Sequence, residues 1–161
     1  MISAFRALKD EEYQTLIEAI PLIAILIAGA DNDIDLNEKA WAEKIVRIRS
    51  YSNHFDLKPY YKDVDSQYSE LFDKFLRSLP KDADSRSREI SKKLVAINDI
   101  FIKLNMRTAS QLYSSFIAYA EQIARASGGI LRMMSVSKEE SMFIGLPMID
   151  PIFYEELDEE E

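Results

Sequence analysis

Apolar residues recur at spacings of three and four along nearly the whole chain, which predicts helices. Tyr13, Leu16, Ile17, Ile20, Ala24 and Ile27 form the first stripe, opened by Asp10, Glu11 and Glu12, an N-cap and an acidic first turn. Pro21 lies inside this stripe and brings no backbone donor, so a kink or break is expected there. A second helix is predicted from about Leu36 to Tyr51, with Trp41, Ile45 and Ile48 facing inward. A third falls within Leu57–Leu79, burying Val64, Tyr68, Leu71, Phe72, Phe75 and Leu79 before Pro80 stops it. Ile90, Leu94, Ile97, Phe101 and Leu104 mark a fourth helix, ending around Lys103 and Asn105. Thr108 and Gln111 read as a capping box for a fifth, lined by Leu112, Phe116, Tyr119 and Ile123 and closed at Gly128-Gly129. The loop Ile130–Val136 leads to a further box, Ser137 to Glu140, and a short last helix before Pro147. Strand-like alternation of useful length is missing, so the expected fold class is all-α.

One turn is then repeated in outline. Ile27-Ala28-Gly29-Ala30-Asp31-Asn32-Asp33-Ile34 precedes Asp35-x-x-Glu38, and Ile123-Ala124-Arg125-Ala126-Ser127-Gly128-Gly129-Ile130 precedes, after six further residues, Ser137-x-x-Glu140. Each is a helix ending in small residues, a tight turn, and a box opening the next helix. The pattern A-D-N-D-I-D-x-x-E with a later A-S-G-G…S-x-E-E resembles the TerB-like family, named for a tellurite-resistance protein. The resemblance spans about Leu22 to Leu146, with its specific residues in the two turns. It implies a single-domain bundle of about six to seven helices that brings both turns to one end. It also implies divalent-metal binding by Asp31, Asp33, Asp35 and Glu38, and a non-catalytic sensing or scaffolding role in stress response. Related domains occur in tellurite- and stress-response systems and attached to membrane-anchored J-domain cochaperones, so a peripheral membrane complex fits the resemblance. The second turn departs from the pattern: Ser127 replaces an acid, and only Glu139 and Glu140 remain. One ion shared between the turns, with Glu140 contributing, or a single site on the first turn fits better than two independent sites.

The residues themselves leave two readings open. Asp35 and Glu38 are explained by capping alone, because Asp35 accepts from the first turn and Glu38 reaches back, worth about 1 kcal/mol. Asp31 and Asp33 are common turn residues, yet four carboxylates within eight positions repel one another, and a hard cation relieves that repulsion. The loop is not an EF-hand: counted from Asp31, position six is Leu36 where Gly is required, and position twelve is Ala42 where a bidentate Glu is required. The alternative is a metal-free interaction module of the same fold. Its partner-docking surface would be Met133 and Met134 in the inter-turn loop, or the acidic tail.

Composition narrows the chemistry. The chain of 161 residues lacks Cys and has one His, His54, which excludes disulfides, thiolate sites and multi-His sites within the chain. Any bound cation would therefore be of the calcium, magnesium or manganese kind, held by oxygen. The carboxylates come without substrate-anchoring groups, so no enzyme is expected. Six of the 28 acids lie in YEELDEEE (Tyr154–Glu161), so the formal charge of -8 belongs mostly to this tail. The chain is thus read as a helical domain over 1–153 and an acidic disordered tail over 154–161. Arg86, Arg88, Lys92 and Lys93 form a loose basic group at helical spacing, read as a solvated face, and nucleic acid is not an expected partner. Ala19–Ala30 is apolar but short of the about 20 residues that span a bilayer. Without an apparent secretory signal, a soluble cytoplasmic protein is the expectation.

Overall fold

A computed structural model describes residues 3–29, 36–52, 57–126 and 143–154. Its α-helices are α1 (Asp10–Ala28), α2 (Leu36–Ser52), α3 (Lys58–Ser78), α4 (Ala83–Val95), α5 (Ile97–Lys103) and α6 (Met106–Ala126), after a short 3-10 turn at Ser3–Phe5. The described residues contain no strand. The all-α expectation therefore holds.

α1 is the central helix. Every residue from Ala19 to Ala28 is buried, because α3, α4 and α6 pack around it. An apolar stripe suits a helix with one covered face; an almost wholly apolar second half suits one covered on all sides. The helix runs without a break through the buried Pro21. Tertiary packing on every side thus outweighs the cost of a missing donor. Asp10 is the first helical residue and not its cap; Lys9 stands at the cap, and its backbone N–H donates to Glu12 Oε1 at 2.9 Å. At the same end, Phe5, Tyr13 and Tyr60 form an aromatic cluster with centroids 5.3–6.3 Å apart.

Polar contacts fix the helix directions. Lys39 pairs with Asp73 (2.6 Å), Arg47 lies 3.7 Å from Asp65, and Arg49 donates to the Tyr61 hydroxyl (2.7 Å), so α2 and α3 are antiparallel. Arg86, near the start of α4, donates to Gly29 O at the end of α1 (2.6 Å). Lys103, at the end of α5, pairs with Glu12 at the start of α1 (2.5 Å). The α4–α5 unit is therefore antiparallel to α1. Leu104 and Asn105 then turn the chain back, and Phe101 stacks on Phe116 across that corner at 6.1 Å. Consequently α6 runs in the direction of α1, against which it packs, and the C-terminal ends of both helices point the same way.

Three further expectations are corrected. The predicted fourth helix is two helices, interrupted at Ala96, whose N–H reaches only Leu94 O. The 4-3-4-3 stripe survives because Ile90, Leu94, Ile97, Phe101 and Leu104 all remain buried. α6 begins at Met106, where Asn105 Oδ1 accepts from Thr108 N (2.8 Å), so Asn105 is the cap and Thr108 is a buried residue of the first turn. On α2, Trp41 and Ile48 are 42% and 39% exposed, while Ala42, Ile45 and Val46 face the core. Two apolar stripes lie side by side on α2, and the one carrying Ala42, Ile45 and Val46 is buried in the bundle, where α2 packs on α3 and α6.

Residues 143–152 return to the bundle. Leu146 N donates to Phe143 O (2.8 Å) and Ile149 N to Leu146 O (3.0 Å), with Leu146 at φ 45°. Leu146 and Ile149 are buried, which holds this left-handed turn in place. Asn98 clamps it: its Nδ2 donates to Met148 O (3.0 Å) and its Oδ1 accepts from Asp150 N (2.8 Å).

Candidate functional site

The acidic turn joins α1 to α2. Asp31, Asp33 and Asp35, the core of the sequence-predicted site, lie outside the described residues, as do Glu140, Met133, Met134, His54 and the turn at 127–140. What is described is the frame of that turn. α2 begins at Leu36, with Glu38 in its first turn and half-buried. Lys39, the next residue, is held by Asp73 on α3. On the other side Gly29 donates its N–H to Ile25 O (2.8 Å) and accepts from Arg86.

Arg86 corrects the reading of the basic cluster. It is 8% exposed, while Arg88, Lys92 and Lys93 are solvent-facing. Its Nη2 binds Gly29 O at 2.6 Å and its Nη1 binds Lys81 O at 3.2 Å, joining the end of α1 to the start of α4. A guanidinium cannot shed its charge, so it brings a permanent positive charge to the doorstep of the acidic turn. The charge of Arg86 conceals this role in the sequence. Arg86 falls four residues before Ile90, on the inward stripe of α4, and that phase was the available signal.

A second polar cluster was not singled out from the sequence. Arg49 is sandwiched between the rings of Tyr61 and Tyr119, with its guanidinium carbon 5.1 and 5.5 Å from the centroids. Its Nη1 donates to Tyr61 Oη (2.7 Å), Ser115 O (3.2 Å) and Ser115 Oγ (3.2 Å), and its Nη2 to Gln122 Oε1 (2.9 Å). The Ser115 and Tyr61 hydroxyls also bond to each other. Above them, the Tyr119 hydroxyl donates to Ala42 O (3.1 Å) and meets the Tyr68 hydroxyl at 2.8 Å. Burial raises both the Tyr68 and the Tyr119 phenols above their ordinary value, so these two stay protonated hydrogen-bonding groups. Among the described residues, Ser115 bonds to Arg49 and Tyr61 and to no carboxylate or imidazole, and a guanidinium only donates. The cluster acts as a clamp joining α2, α3 and α6.

Among the described residues, no three His, Asp or Glu side chains converge on a point suited to a metal ion, and no helix is long and apolar enough to cross a membrane. Compared with protein-family models, curated proteins and solved structures, the chain matches none.

Proposed function

We propose that the chain is a non-catalytic TerB-like domain, a bundle of six to seven helices. It binds a calcium-, magnesium- or manganese-type cation at the α1–α2 turn through Asp31, Asp33, Asp35 and Glu38, with Glu140 completing the shell. Its role is that of a cytoplasmic sensing or scaffolding module in a stress response. The supporting observation is the common direction of α1 and α6, whose C-terminal ends lead into the two related turns. The donor set fits such an ion chemically, because carboxylates are the ligands hard divalent cations prefer. Glu38 lies in the first turn of α2, the end of the helix that adjoins the three aspartates in sequence.

A metal-free protein-interaction module is the second reading, and Arg86 favours it. Its buried guanidinium at Gly29 O supplies positive charge beside the turn without an ion. Calorimetric titration with calcium, magnesium and manganese separates the two. Under the first reading the wild type gives heat that Asp31→Asn/Asp33→Asn abolishes. A cation at a hundredfold excess over its Kd also adds about 2.7 kcal/mol to wild-type stability. The absence of heat, together with melting shifts equal in wild type and variant, assigns the module to the metal-free class.

A further inference from the structure

The corner between α5 and α6 carries a cleft of about 400 Å³. Phe101, Leu104 and Ala109 make its floor, and Ile102, Met106 and Ile152 its sides. The sides are notably uncovered: Ile102 is 81% and Met106 60% exposed, and Phe153, next to Ile152, is 86% exposed. Isolated apolar residues on a surface mean little, but an open apolar cleft with exposed apolar shoulders marks a docking surface. The cleft is also built. Asn98 holds Met148 O and Asp150 N through both ends of its amide, and this clamp carries Ile152 to the cleft as its far wall.

Charge names the occupant. Among the described residues, the ionisable side chains lining the cleft are Asp99 and Asp150, both exposed carboxylates on its rim. Of the cations next to the lining residues in sequence, Lys103 is committed to Glu12, and Arg107 follows Met106 on α6. Three residues beyond Ile152 the chain enters Glu155–Glu161, which holds six further acids. Covalent reach alone keeps the first of them within about 10 Å of the cleft wall. An apolar floor, two rim carboxylates and an adjoining acidic run complement one chemistry.

We infer that this cleft docks a basic amphipathic segment of a partner protein, its apolar side chains seated on Phe101, Ile102, Leu104 and Met106 and its Lys or Arg side chains paired with Asp99 and Asp150. The acidic run raises the encounter rate for such a partner and makes it fall with salt. A second copy of this chain is the competing occupant, with Phe153 as the inserted side chain. The acidic rim and tail disfavour it, since two copies would bring like charges together.

The test uses the full chain and a fluorescent Lys/Leu amphipathic helical peptide, with its Glu/Leu counterpart as control, read by anisotropy at low and high salt. The Lys/Leu peptide is expected to bind at least tenfold more tightly than the Glu/Leu peptide. Asp99→Asn/Asp150→Asn and, separately, Ile102→Ser/Met106→Ser should each weaken binding by about tenfold. Asp84→Asn on α4 should leave binding unchanged, which separates the cleft from general attraction to an acidic protein. All of these side chains are exposed, and helical circular dichroism confirms that each variant is folded. Methyl chemical-shift changes at Ile102 and Met106 in the wild type locate the peptide without substitution. Equal binding of both peptides, affinity insensitive to the cleft variants, or shifts located elsewhere would overturn the inference. So would a concentration-dependent dimer abolished by Phe153→Ser, which assigns the cleft to a second copy.

Discussion

The Tyr68–Tyr119 pair allows a hydrogen-bond direction to be read from stability. The Tyr119 hydroxyl has one proton and donates it to Ala42 O, an obligate acceptor, at 3.1 Å. At the 2.8 Å contact between the two phenols, Tyr68 must therefore be the donor. Tyr119→Phe then leaves the fully buried Tyr68 hydroxyl without that acceptor, at a cost of about 2 kcal/mol for an unsatisfied buried donor. Tyr68→Phe leaves Tyr119 still bonded to Ala42 O and forfeits one ordinary bond, about 1 kcal/mol. Phe at position 119 keeps the aromatic ring beneath Arg49, so the comparison isolates the hydroxyl. The double variant removes the orphaned donor as well, and its loss should not exceed that of Tyr119→Phe alone. In a chain of this size these losses lower Tm by about 2–4 °C per kcal/mol. Urea unfolding followed by helical circular dichroism measures all three. Strictly additive losses, or a larger loss for Tyr68→Phe than for Tyr119→Phe, would refute the assigned direction.

Other outcomes follow from the same contacts. Arg49→Lys replaces a planar fork bonded to Tyr61, Ser115 and Gln122 with a single ammonium, and should destabilise by about 1–3 kcal/mol in the same denaturation assay. Asn98→Ala removes both bonds of the clamp, about 2 kcal/mol. Hydrogen exchange at the Asp150 amide should accelerate by roughly 30-fold while α1 amides keep their protection. Lys103, hydrogen-bonded to Glu12, holds that carboxyl below its ordinary 4.5, and the Lys9 backbone N–H adds to the effect. A depressed folded value means that this contribution is complete above pH 4.5 and is lost as pH falls through the folded value. Wild type and Glu12→Gln should therefore differ at neutral pH and converge in acid, as followed by melting across pH.

Helix content was legible in the sequence because burial stripes repeat at the helical period, and α3 was found almost to the residue. What periodicity does not supply is a choice between neighbouring stripes or a partner for a polar side chain. On α2 the large residues Trp41 and Ile48 suggested the inner face, but close contact with α3 and α6 selects Ala42, Ile45 and Val46. At Ala96 nothing marks a break, since alanine is the best helix former and the stripe keeps its phase. Asn105 was visible as a helix boundary, yet the same residue type ends one helix and caps the next. Of the proposed site, the position of Glu38 and the start of α2 were legible from capping chemistry. Arg86 was not, because a buried guanidinium facing a backbone carbonyl leaves no motif and depends on contact across 57 positions.

The central place of α1 has a consequence for synthesis. This helix leaves the ribosome before α2 to α6, but its burial is completed by α6, which begins at Met106. At about 5–20 residues per second, the surface from Ala19 to Ala28 waits roughly 4–16 s for its last covering helix. Nascent chains in that interval present an apolar helix to other nascent chains. Translation pauses before Met106 prolong the hazard, and helper proteins that bind apolar helices shorten it.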